Sequence, residues 1–199
     1  MKRIILLFLS ILLLSPIGMA QSKVAQKYLS QHVDNIKSQT PITLSNEITF
    51  YDISYKKNIL TYTYIQNNAD VANQMRQNGP SRIQKQEIFN KFSSDPIYNY
   101  LLDAHAGLQY VYLDQDKMPV NTIEFSYQEL SSMQVGPISH ISLIEYYTYM
   151  NQQVALTKCQ LPITADEYTT LEQIDFRNDT LFYNSRISSE LDEDYFQSQ

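Results

Sequence analysis

The side chains able to do chemistry in this chain are few and scattered. Its 199 residues carry three histidines, His32, His105 and His140, one cysteine, Cys159, and four glycines. His105 stands close after Asp103, and such a pair is half of a metal or acid–base site when both side chains approach one end of a helix. With no third ligand the spacing specifies no geometry, and a capping or surface role is the expectation. Asp114 and Asp116 alternate as calcium ligands do, but the glycine and the distant glutamate of such loops are missing, which leaves a solvated turn. Cys159 has no partner for an intramolecular disulfide and is expected to serve as a small hydrophobe near a helix end rather than as a reactive thiol. Neither Gly-x-Ser-x-Gly nor His-Glu-x-x-His occurs, and Gly79, Gly107 and Gly136 are too widely spaced to cradle a phosphate. The reading names no catalytic residue, no metal ligand and no cofactor.

Tyrosine is the residue type in excess, with 16 copies against no tryptophan. Tyr51, Tyr55, Tyr62, Tyr64, Tyr110 and Tyr112 fall on stretches that alternate apolar with polar residues, as do Tyr127 and Tyr183. Tyr suits a strand whose ring packs under helices while its hydroxyl reaches water. On an uncovered sheet face the same rings form a rigid contact surface of low entropic cost. Those first six tyrosines are the candidate partner-binding residues.

The elements that must position them repeat. Shifted by 121 residues, positions 28–62 match positions 149–183 without a gap at twelve identities, among them Tyr28/Tyr149, Val33/Val154, Lys37/Lys158, Pro41/Pro162, Ile53/Ile174, Leu60/Leu181 and Tyr62/Tyr183. Unrelated sequence would give about two. Each copy reads as a helix, a proline-containing connection and a hairpin. Val24, Tyr28, Leu29, Val33 and Ile36 keep helical spacing in the first copy, and Leu143, Tyr147, Met150 and Val154 in the second. Hairpins turn at Lys56-Lys57-Asn58 and at Arg177-Asn178-Asp179. Between the copies, Ser81 with Gln84 caps a helix bearing Ile88, Phe89 and Phe92, and Asp95-Pro96 opens another that Gly107 is placed to stop. Leu108, Tyr110 and Tyr112 then alternate, the chain turns at Asp114 to Pro119, and Ile123, Phe125 and Tyr127 alternate again. The expected fold is α+β: tandem helix-hairpin (αββ) units whose antiparallel sheet packs on the helices. Residues 21–135 form a first module of two such units, and residues 136–199 a half-length second copy with an acidic tail, Glu190 to Asp194.

The N-terminus has the order of a cleavable secretory signal: Lys2 and Arg3, the apolar run Ile4 to Leu14, then Ser15-Pro16 and Gly18-Met19-Ala20. Cleavage is expected after Ala20, because the run is short of the roughly 20 residues that span a bilayer. The signal implies a periplasmic or secreted protein with no membrane span after cleavage. Removing Lys2 and Arg3 from the 15 basic residues leaves 13 against 21 acidic ones, a net charge of -8. That balance argues against nucleic acid and anionic lipid, which select clustered Lys and Arg, and favours a basic partner.

The stretch Asp95-Pro-Ile-Tyr-Asn-Tyr-Leu-Leu-Asp-Ala-His-Ala-Gly-Leu-Gln-Tyr-Val-Tyr-Leu-Asp-Gln-Asp, with Thr122-Ile-Glu-Phe after it, resembles a pattern found in small secreted and periplasmic proteins of proteobacteria. In that pattern a helix opens with Asp-Pro, ends at Gly, and Tyr-x-Tyr-x-Asp leads into a hairpin. Many such proteins have flanking cysteines, whereas positions 89–93 and 129–133 here have none. The resemblance implies architecture and export and transfers no functional residue. Together these readings point to a non-enzymatic periplasmic module that binds another envelope or secreted protein, with inhibitors and immunity proteins as the type. The alternative is a periplasmic enzyme or envelope-polymer binder with a site assembled from dispersed His, Asp and Tyr.

Overall fold

A computed structural model describes residues 22–138 and 141–188. The leader with Ala20, His140 and the acidic tail lie outside the described residues. The chain folds into two compact units. One contains the described residues up to Ala69 together with Gly79–Ile138; the other contains Asp70–Asn78 and the described residues from 141 on.

In the first unit, helix α1 (22–37) is followed by strands β1 (Ile42–Thr43), β2 (Ile48–Lys56) and β3 (Ile59–Gln66). Lys57 and Asn58 join β2 to β3 with both φ angles positive, 49° and 63°, as a two-residue hairpin turn requires for the right-handed twist of its strands. Helices α3 (Arg82–Phe92) and α4 (Ile97–Asp103) then lead to β4 (Gly107–Leu113), β5 (Pro119–Phe125) and the short helix α5 (Tyr127–Ser132). Ser81 caps α3 by accepting from the Gln84 N–H, and Ser126 with Glu129 forms a reciprocal capping box on α5. That box ends the strand at Phe125 and draws Tyr127 into a helix, whereas its alternation predicts strand.

The architecture is α+β, with a five-stranded sheet in the order β1-β2-β3-β4-β5. One join departs from the antiparallel pattern expected: β3 and β4 pair in parallel, Leu60 beside Leu108, Tyr62 beside Tyr110 and Tyr64 beside Tyr112. The residues between them supply the long crossover that a parallel pair demands, and hairpin periodicity says nothing about how one hairpin docks on the next. Leu29, Ile53, Leu60, Phe89, Leu101, Leu108, Ile123, Phe125 and Leu130 form the core of this unit. On α1 the buried stripe is Ala25, Leu29 and Val33, and Val24, expected on it, is 67% exposed. Gly107 opens β4 rather than closing α4; a Cβ there would lie 2.9 Å from the Phe125 carbonyl oxygen. The left-handed residue after α4 is instead His105, with φ 51°.

The second unit holds helix α2 (Ala69–Gln77) from its second residue on, a helix the sequence reading missed, and the helix-hairpin α6 (Leu143–Lys158), β6 (Ile163–Thr164), β7 (Thr169–Arg177) and β8 (Thr180–Ile187). Its strands follow the bounds of β1, β2 and β3 shifted by 121, and the bulge between Phe50 and Asp52 recurs between Leu171 and Gln173. The peptide bonds before Pro41 and Pro162 are both cis. Ser142 and Glu145 form a capping box on α6. The three strands make a separate sheet in the order β6-β7-β8, so among the described residues β8, unlike β3, is an edge. Leu143, expected on the buried stripe of α6, is exposed, whereas Val154 is buried. No helix among the described residues is long and apolar enough to cross a membrane.

Candidate functional site

The parallel join brings four tyrosines of the first unit together. Period-two alternation puts Leu60, Tyr62 and Tyr64 on one face of β3 and Leu108, Tyr110 and Tyr112 on the same face of β4. Parallel register then sets tyrosine beside tyrosine. Ring centroids lie 5.6 Å apart for Tyr62 and Tyr110 and 5.5 Å for Tyr64 and Tyr112, with interplanar angles of 17° and 22°. Phe50 on β2 extends the array, 5.4 Å from Tyr64. This is the face that carries the core residues, so the rings are half-buried on the helix side of the sheet. The uncovered tyrosine ladder envisaged from the sequence is not the arrangement found.

Tyr51 and Tyr55 stand apart from this array. Tyr51 occupies the β2 bulge, where its hydroxyl accepts a 2.9 Å hydrogen bond from Lys117 Nζ. The Tyr55 hydroxyl donates to Asn58 Oδ1 at 2.6 Å, while Asn58 Nδ2 donates to the carbonyls of Ala104 and His105. Tyr55 thus braces the hairpin turn against the end of α4. In contrast, none of the hydroxyls of Tyr62, Tyr64, Tyr110 and Tyr112 has a hydrogen-bond partner among the described residues.

Above the tyrosines, α3 and the start of α4 leave a depression of about 260 Å³ lined by Ile88, Lys91, Phe92, Asp95, Tyr110 and Tyr112. Asp95 accepts from the Ile97 N–H at 2.9 Å and so caps α4. Its carboxylate also acts on the phenols: burial first, then the Asp95 charge, pushes the Tyr62 hydroxyl well above its ordinary range. Tyr110 is raised in the same way by burial, its tyrosine neighbours and Asp95, burial pushes Tyr64 up to about 12, and burial alone raises Tyr112. His32 on α1 feels Asp95 as well, but burial outweighs that charge and lowers its pKa. The shielded His32 Nε2 meets no hydrogen-bonding group among the described residues. Neither Asp95 nor His32 carries a sequence signal beyond a helix start and a helical position.

The other candidates do not converge. No hydrogen bond or ion pair among the described residues joins His105 to Asp103; the exposed His105 ring packs edge-on against Tyr127 at 4.7 Å. Asp114 Oδ1 accepts from the Met118 N–H at 2.8 Å, a turn-stabilising contact. Cys159 caps α6, with its thiol pKa raised by burial and by Asp70. Among the described residues no three His, Cys, Asp or Glu side chains cluster in a way that could hold a metal ion.

No family model and no curated protein matches the chain. Among solved structures it is similar to a protein of Pseudomonas aeruginosa described as secreted, at 22% identity and a TM-score of 0.47, over 55% of this chain and 96% of that one. It is also similar to the type 2 secretion system pilotin EpsS of Vibrio vulnificus, at 14% identity and a TM-score of 0.42 over 57% and 98% of the two chains. For the type II secretion system pilotin AspS of Vibrio cholerae the values are 8% and 0.39, over 56% and 96%.

Proposed function

We propose that the chain is a non-enzymatic module of the bacterial envelope that binds another protein through the tyrosine-floored depression of its first unit. The state of Tyr62, Tyr64, Tyr110 and Tyr112 supports this reading: stacked, half-buried rings whose hydroxyls have no hydrogen-bond partner among the described residues. Burial keeps these phenols protonated, which suits donation of hydrogen bonds and not proton abstraction near neutral pH. Stacking fixes the rings before a partner arrives, so little side-chain entropy remains to be lost on binding. The net charge of -8 after leader removal and Asp95 at the rim favour a basic partner, whose approach the field would steer. An inhibitor or immunity protein would be one such module.

The test is quantitative capture of partners from envelope extract by the wild-type chain and by Tyr110→Ser and Tyr112→Ser, with Tyr51→Phe as control. Loss of one partner in both groove variants and its retention by the control is the expected pattern; equal capture by all four would sink the reading. Export with cleavage after Ala20 belongs to the same proposal and is tested by mass spectrometry of the periplasmic protein, whose first residue should be Gln21. So does the division into modules 21–135 and 136–199, tested by whether residues 21–135 fold alone.

A further inference from the structure

Leu60 and Leu181 occupy equivalent positions in β3 and β8, yet one is 0% and the other 44% exposed. The difference is the neighbouring strand: β4 pairs with β3 over seven residues, and nothing among the described residues pairs with the outer edge of β8. Along that edge Leu181, Phe182 and Tyr183 are exposed in succession, Tyr183 at 73%. Edge strands are ordinarily blunted by lysine, proline or bulges, and Thr180–Ile187 contains no Lys or Pro. Phe182 stands where the first copy has Thr61, on the sheet face away from Leu181 and Tyr183. The Arg177 guanidinium lies over this ring at 4.6 Å from its centroid, yet Phe182 is still 42% exposed, and an exposed aromatic ring gains when an apolar group meets it.

We propose that β8 pairs with β8 of a second copy of this chain, antiparallel about a two-fold axis through Phe182. Two-fold symmetry requires facing residues to share a sheet face, so the axis must pass through a residue rather than between two. Centred on Phe182, the register sets Phe182 against its own copy and Leu181 against Tyr183 of the other chain on the opposite face. All three exposed side chains are then covered at once. The two-fold axis also fixes the direction as antiparallel, and Arg186, already bonded to Glu172 of its own chain at 2.7 Å, then stands opposite Asn178 of the second copy. The edge lies in the second unit, so this inference stands independently of the tyrosine depression.

Sedimentation or light-scattering mass of the protein as recovered from cells tests it. The expected result is twice the chain mass, with Phe182→Thr, which restores the residue of the first copy, weakening association at least tenfold without loss of far-UV circular dichroism. The dimer should tighten as salt screens the two acidic chains. In a Cys159→Ser background, Phe182→Cys should oxidise to a linked dimer, because facing residues of an antiparallel pair bring their Cβ atoms to about 4.5–5.5 Å, and Thr180→Cys should not. A single-chain mass at concentrations up to about 1 mM, or a dimer that Phe182→Thr leaves intact, overturns the proposal. Cross-linking through Thr180→Cys in place of Phe182→Cys overturns the register.

Discussion

Removing one hydroxyl at a time should separate tyrosines that hold the fold from tyrosines that wait for a partner. Tyr98 donates to the Leu130 carbonyl at 2.8 Å, and Leu130 is 0% exposed. Tyr98→Phe keeps the ring, with its edge contacts to Phe89 and Phe92, but strands a buried acceptor, which costs about 1–3 kcal/mol. Tyr55→Phe removes the bond to Asn58 at an exposed turn and should cost about 0.5–1.5 kcal/mol. Tyr62→Phe and Tyr110→Phe remove hydroxyls without a partner among the described residues and should stay within about 0.5 kcal/mol of wild type. In a unit of this size 1 kcal/mol moves Tm by about 4–8 °C, so a 2 kcal/mol loss is a shift of about 8–16 °C. Calorimetry and urea unfolding followed by far-UV circular dichroism resolve such differences. If Tyr62→Phe or Tyr110→Phe proved as costly as Tyr98→Phe, those hydroxyls would be engaged within the fold and the argument for an open binding surface would fail.

Equivalent leucines should differ in the same assays: Leu60→Ala in the core should cost about 3–5 kcal/mol and the half-exposed Leu181→Ala about 1 kcal/mol or less, and equal costs would contradict the pairing described for β3. Gly107→Ala should destabilise by about 1–3 kcal/mol, because its methyl group would meet the Phe125 backbone oxygen at 2.9 Å; neutral behaviour on urea unfolding would refute the close approach. On alkaline titration the phenols of Tyr62, Tyr64, Tyr110 and Tyr112 should ionise after the exposed tyrosines, since their folded pKa values are raised. The unfolded chain then loses these protons first, so this contribution to stability is complete below about pH 10 and is lost as pH rises through the folded values. His32 has the opposite sense: its lowered pKa makes its contribution present above about pH 6.5 and lost as pH falls below that, and a ring that titrates at or above the free value by NMR would contradict its burial.

Local chemistry made much of this protein legible in its sequence. Period-two alternation, the turn residues Lys57-Asn58 and Asn178-Asp179, and the Ser81 cap each act over a few residues, and each appears where those residues stand. The helix-hairpin units and the α+β class follow from them. Helix α2 escaped notice because its apolar stripe is only Val71, Ala72 and Met75 in an otherwise polar run, Ala69–Gln77. Helical spacing also misplaced Val24, because a residue adjacent to a buried stripe shares its periodicity but not its neighbours.

Which elements lie side by side was decided only by tertiary structure. Parallel docking of β4 on β3 aligned Tyr62 with Tyr110 and Tyr64 with Tyr112 and lodged them under helices, away from Tyr51 and Tyr55, although all six look alike as sequence. The same holds for Leu60 and Leu181, identical residues in matched strands, one sealed by the next strand and the other left at an edge. Burial is a property of what arrives from elsewhere in the chain, and a residue's own type and spacing do not encode that arrival.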